Sequence, residues 1–137
     1  MLTGDAQGKA GDNPVCNLYS PEDLKPYLGK TPSEGENAAM GTGCQWSATE
    51  DTDTEPTFVQ IQVVPAASGK GEGAVPSGAP GYREVPELGK TGYVAKDMGW
   101  EAGAFVGDEW IGVTISAPAA SEAKAIALFK DFTARRR

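Results

Sequence analysis

The sequence predicts an α+β domain: an antiparallel sheet of about five strands, with a short N-terminal helix and a C-terminal helix packed on one face. Three observations carry that reading. Eighteen glycines and ten prolines in 137 residues favour strands joined by turns over a helical bundle. Gly107-Asp108 sits between two runs of apolar and β-branched residues, one of the pairs that a two-residue hairpin loop selects. Helical periodicity is confined to the two ends of the chain.

Residues 1–14 (MLTGDAQGKAGDNP) are polar and Gly-rich, the composition of a flexible tether, and residues 15–137 then form one domain. Ser20 is placed to cap a helix, Pro21 to occupy its first position, and Glu22 and Asp23 to favour the positive end of its dipole. Leu24, Tyr27 and Leu28 give it an apolar side, Pro26 limits it to about two turns, and Gly29 ends it. Lys30 to Met40 reads as a loop. Thr42 to Thr49 and Thr57 to Val64 read as a strand pair around an acidic turn at 50–56. In the second of these strands Val59, Ile61 and Val63 face one way and Phe58, Gln60 and Gln62 the other.

Pro65 to Pro80 has no strand or helix pattern and is long for a connection inside a domain. Tyr82 to Val85 reads as a short edge segment, Pro86 to Gly89 as a turn, and Thr91 to Asp97 as a strand. Pro118 to Ala134 closes the chain as a helix, with Ala125, Leu128, Phe129 and Phe132 at core-facing spacing and Ile126 widening the stripe.

The hairpin from Trp100 to Ser116 organises the rest. A two-residue turn at Gly107-Asp108 sets Val106 opposite Glu109, Phe105 opposite Trp110, Ala104 opposite Ile111 and Trp100 opposite Ile115. One face then carries Trp100, Ala102, Ala104, Ile111, Val113 and Ile115, a core face. The other carries Glu101, Gly103, Phe105, Trp110, Gly112 and Thr114, an aromatic pair beside a bare glycine pair. If the last helix covers the first face, Phe105, Trp110, Gly103 and Gly112 form a candidate binding surface for a sugar, an apolar ligand or a partner side chain. The competing reading is that the aromatics simply cover the glycines, or that the helix lies on their side.

The net charge of -7, from 19 acids against 12 bases, argues against nucleic acid and anionic membrane surfaces as partners. No apolar run is long enough to span a bilayer, and the first residues lack the basic and apolar regions of a signal peptide. With no histidine in the chain, Cys16 and Cys44 have neither the usual zinc co-ligands nor a Cys–His dyad. A disulfide between them accounts for the pair and adds about 3 to 4 kcal/mol; two buried free thiols in a cytosolic domain are the alternative. A bridge places the protein in an oxidising compartment, periplasmic or extracellular.

Glu50, Asp51, Asp53 and Glu55 offer Asp-x-Asp spacing for Ca²⁺, without the glycine and distal glutamate of an EF-hand loop; a solvated turn is the plainer reading. Asp97 and Glu101 are a carboxylate pair of the kind glycoside hydrolysis uses, though a chain with 19 acids supplies many such pairs. No phosphate-binding glycine loop and no nucleophile elbow is present. Arg135 to Arg137 suit the negative end of the last helix and a solvated terminus.

Cys16-Asn-Leu-Tyr-Ser-Pro-Glu-Asp-Leu24, Tyr27-Leu-Gly29, Gly43-Cys44-Gln-Trp46 and Val85-Pro-Glu-Leu-Gly89, followed by a Gly-Asp hairpin and an Ala-rich last helix, together resemble the small secreted lipoproteins of uncharacterised function common in actinobacteria. The resemblance spans roughly residues 15–134. It implies a cell-envelope protein, a Cys16–Cys44 bridge and no known catalytic residues to carry over. The expected function is therefore non-enzymatic binding of a protein or envelope component, with no cofactor and with membrane attachment only through a lipid anchor. A small-ligand or hydrophobe carrier using the aromatic hairpin face, a Ca²⁺-binding module and a hydrolase are the alternatives.

Overall fold

A computed structural model describes residues 13–38, 43–48, 56–65, 80–96 and 99–136, and within them the chain forms two α-helices and one antiparallel sheet. A 3₁₀ turn at Cys16–Leu18 leads into α1 (Pro21–Leu28). The strands are β1 (Glu36–Ala38), β2 (Gly43–Ser47), β3 (Phe58–Pro65), β4 (Arg83–Glu84), β5 (Lys90–Lys96), β6 (Trp100–Val106) and β7 (Glu109–Ser116). A 3₁₀ turn at Pro86–Leu88 lies between β4 and β5, and α2 (Glu122–Arg135) ends the fold.

The sheet has seven strands rather than about five, in the order β1-β2-β3-β7-β6-β5-β4. The additional strands are its two edges. β1 lies inside the segment expected to be a loop; it is three polar or small residues, too short to show alternation, and only its pairing with β2 makes it a strand. β4 is the two-residue remnant of the expected edge segment at 82–85.

Two meanders, β1 to β3 and β4 to β7, start from opposite edges and meet where β3 pairs with β7. The β2–β3 pair and the β6–β7 register are as expected from the sequence, with Phe105 opposite Trp110 and Gly103 opposite Gly112. Gly107 has φ +63° while Asp108 stays at negative φ, the signature of a type II′ turn.

Both helices lie on the same face. Ala125, Leu128, Phe129 and Phe132 of α2 are buried in one cluster with Leu24 and Leu28 of α1 and with Ala102, Ala104, Ile111, Val113 and Ile115 of the hairpin. Val59 and Ile61 join them because they stand opposite Ile115 and Val113. Each fully buried aliphatic or aromatic side chain contributes about 1.5 to 3 kcal/mol. Trp46 is fully buried in this cluster, and Trp100 is half-buried against it. The last helix starts later than its pattern suggested: Ser121 caps it, accepting the Lys124 N–H at 3.1 Å, and Pro118 to Ala120 remain in the preceding turn.

Cys16 and Cys44 form a disulfide that ties the first 3₁₀ turn to β2. The bond fits a non-cytoplasmic compartment. No helix among the described residues is long and apolar enough to cross a membrane.

Asn13, placed by composition in the tether, belongs to the packed structure. It is 8% exposed; its amide donates to Asn37 Oδ1 at 2.8 Å and to the Gly43 carbonyl at 2.9 Å, and its own oxygen accepts from Val15 N at 2.9 Å. At the other end Arg135 fastens the C-terminus to the entry of α1. Its guanidinium lies 4.2 Å from the Tyr19 ring centre and donates to Asp131 Oδ2 at 2.8 Å, to the Leu18 carbonyl at 2.8 Å and to Asp23 at 3.3 Å.

Candidate functional site

With both helices on one side, the opposite side of the sheet is the surface to which the sequence pointed. Registers across the strands divide it into rows of side chains. One row runs Glu36, Gln45, Gln60, Thr114, Glu101 and Ala95, from β1 through β2, β3, β7 and β6 to β5. The next runs Gly43, Gln62, Gly112, Gly103, Tyr93 and Glu84. A third holds Val64, Trp110, Phe105 and Lys90. Rows on one face are two residues apart, about 6.7 Å.

The glycine pair is not bare. A methyl group on Gly112 would fall 2.5 Å from Trp110 Cη2, and one on Gly103 2.9 Å from Tyr93 Cε1, so each glycine lies beneath a ring. Tyr93 reaches this position through a β-bulge. Between Lys90 and Tyr93 the register slips by one residue, with Thr91 at φ +59°, and without that residue Tyr93 would point to the core. Tyr82 stacks on Tyr93 with ring centres 6.0 Å apart, and the Tyr93 hydroxyl donates to Glu101 Oε2 at 2.6 Å.

The consequence corrects one expectation. Phe105 and Trp110 are opposed as predicted and lie away from α2, yet Trp110 is only 4% exposed and Phe105 is half-buried. Trp110 is a cover for Gly112 rather than an exposed stacking platform. What the face presents instead is the polar row: Gln45, Gln60, Thr114 and Glu101 are all half-buried. Among the described residues no side-chain hydrogen bond engages Gln45, Gln60 or Thr114. Trp110 Nε1 is buried without a hydrogen-bond partner there as well.

The period-two pattern of β3 already showed Gln60 and Gln62 on one side. Their union with Thr114 and Glu101 required the β3–β7 pairing, whose nearest partners in sequence, Pro65 and Glu109, are 44 residues apart, and it leaves no local signal. Tyr93 was missed because a bulge breaks the alternation that would have revealed it.

Other expected sites fall elsewhere. Glu50, Asp51, Asp53 and Glu55 lie outside the described residues, as does Asp97, and among the described residues no group of three potential ligands is placed to hold a metal. Glu101, the partner suggested for Asp97, is held by Tyr93. Most of the 65–80 connection is likewise outside. Arg135 and Arg136 are not simply solvated. The first is committed as described above, and the second pairs with Glu109, whose Oε1 accepts at 2.9 Å. They border a groove of about 490 Å³ with Val15, Leu18 and Val63 on its wall.

Tyr19, between Arg135 and the Trp46 ring, has its hydroxyl pKa pushed well above the ordinary value, chiefly by burial and then by donation to Asp131 at 2.7 Å. That hydroxyl stays protonated and serves structure. Comparison of the chain with family models, with curated proteins and with solved structures finds no match.

Proposed function

We propose that this chain is a non-enzymatic cell-envelope binding domain, the soluble part of a lipoprotein, which recognises a protein or envelope component through the sheet face opposite its helices. The observation that carries the reading is the row Gln45, Gln60, Thr114 and Glu101, four hydrogen-bonding side chains on adjacent strands and on the side away from α1 and α2. A rigid sheet holds such groups in fixed register, so a partner meets a preorganised surface and less ordering entropy opposes association. The Cys16–Cys44 bridge supports the periplasmic or extracellular setting. The absence of histidine and of nucleophile or phosphate motifs in the sequence supports binding over catalysis.

Affinity capture from an envelope fraction tests this, using the native protein beside the Gln60→Arg/Thr114→Arg double variant. Components held by the native protein and lost from the variant are the expected result. Identical recovery by both overturns the assignment of the face.

A further inference from the structure

We propose that the ligand of this face is an uncharged, polyhydroxylated chain, a neutral glycan segment laid across the strands along the row from Gln45 to Glu101. The inference rests on the binding reading above and narrows its ligand. Primary amides and a hydroxyl each donate and accept, as sugar hydroxyls do, and here they come from neighbouring strands: Gln45 opposite Gln60, Gln60 opposite Thr114, Thr114 opposite Glu101. Strands about 4.8 Å apart space the row over roughly 14 Å between Gln45 and Glu101. A linear oligosaccharide of a few units fits that length better than one small molecule does.

Charge argues in the same direction. The ionisable groups in line with the row are two carboxylates, Glu101 and, at the β1 end opposite Gln45, Glu36; among the described residues no cation stands in the row or in the Gly43-to-Glu84 row beside it. A phosphorylated, sulfated or nucleic-acid ligand would meet a carboxylate and a chain of net charge -7. A carboxylate fixed by the Tyr93 hydroxyl at 2.6 Å is instead a directed acceptor for hydroxyl donors. The glycines beneath the rings keep the neighbouring row low, since Tyr93 and Trp110 lie over Gly103 and Gly112. Trp110 Nε1, buried and without a hydrogen-bond partner among the described residues, leaves an unmet donor on this side of the sheet.

The test is an NMR titration of the full chain with three neutral hexasaccharides, maltohexaose, mannohexaose and hexa-N-acetylchitohexaose, and with sulfated dextran as the anionic comparison. Saturable shifts with at least one neutral hexamer at about 1 mM are expected, centred on the backbone amides of Gln60, Thr114 and Glu101. Gln60→Ala and Thr114→Ala should each weaken that binding by about tenfold, with the unfolding midpoint unchanged. No response to any neutral hexamer, shifts unaltered by both variants, or tighter binding of sulfated dextran overturns the assignment. If the hexamers fail while capture of an envelope component still depends on Gln60 and Thr114, the neutral-glycan assignment falls and the binding face stands.

Discussion

Gly103 and Gly112 stand opposite each other across the hairpin, each with an aromatic ring lying over it, Tyr93 on the first and Trp110 on the second. The pair shows how the hairpin is packed on the face away from the two described helices. Cross-strand glycines leave a hollow, and side chains folded down from β5 and β7 fill it.

A methyl group at position 112 must displace the indole. Gly112→Ala is expected to destabilise the fold by about 1 to 3 kcal/mol in denaturant unfolding and to shift tryptophan emission to longer wavelength. Gly107→Ala is the control, since a Cβ there meets nothing within 4 Å and costs only the positive φ, about 1 to 2 kcal/mol, with no emission shift. An unchanged midpoint for Gly112→Ala would show that the ring does not rest on the glycine.

Asn13→Ala removes the acceptor for Val15 N and the donor to the Gly43 carbonyl, both in buried positions. Leaving those groups unsatisfied should cost about 1 to 3 kcal/mol and raise proteolytic cleavage ahead of Cys16. Wild-type stability and cleavage would mean that the domain begins after Asn13.

Burial and donation to Asp131 raise the Tyr19 pKa in the folded state above its unfolded value of about 10. A group raised in this way gives its full stabilisation below pH of about 10 and loses it as pH climbs towards the folded value. Tyr19→Phe is therefore expected to be less stable at neutral pH, by about 1 kcal/mol for the lost hydrogen bond, and to show a shallower alkaline decline. Tyr27, displaced in the same direction mainly by burial, leaves a residual slope. Denaturant midpoints collected from neutral to strongly alkaline pH check the sign; an identical slope in the variant contradicts it.

Thr91 is a β-branched residue held at φ +59° where the bulge turns Tyr93 outward. Thr91→Asn relieves a conformation that β-branched side chains resist, and a gain of about 0.5 to 1 kcal/mol in unfolding free energy is expected. A loss of stability would mean that the Thr91 side chain makes a contact outweighing the strain.

Local patterns in the sequence were enough for most of the architecture. The alternation in Phe58–Pro65, the Gly107-Asp108 turn and the Ala125-to-Phe132 stripe each encode an element and the face it buries, and those elements formed with the expected register and side. The β1 edge escaped because Glu36–Ala38 is too short for periodicity and exists only through pairing, whereas β4 falls within the edge segment expected at 82–85. Asn13 escaped because composition describes solubility and not hydrogen bonds: a polar, Gly-rich stretch can still end in a buried Asx turn. On the candidate face the aromatic pair was visible and its exposure was not, since whether Trp110 stands up or lies down depends on the missing side chain of Gly112.

The central claim, that recognition occurs on the sheet face away from the helices, is tested most directly by site-specific photo-crosslinking. A photoreactive residue at Thr114, in the centre of the polar row, is compared with one at the exposed Ala123 on the outer side of α2. The account predicts that light in the presence of the envelope fraction yields a defined adduct from position 114 and none from position 123. An adduct from position 123 with none from position 114 would contradict it.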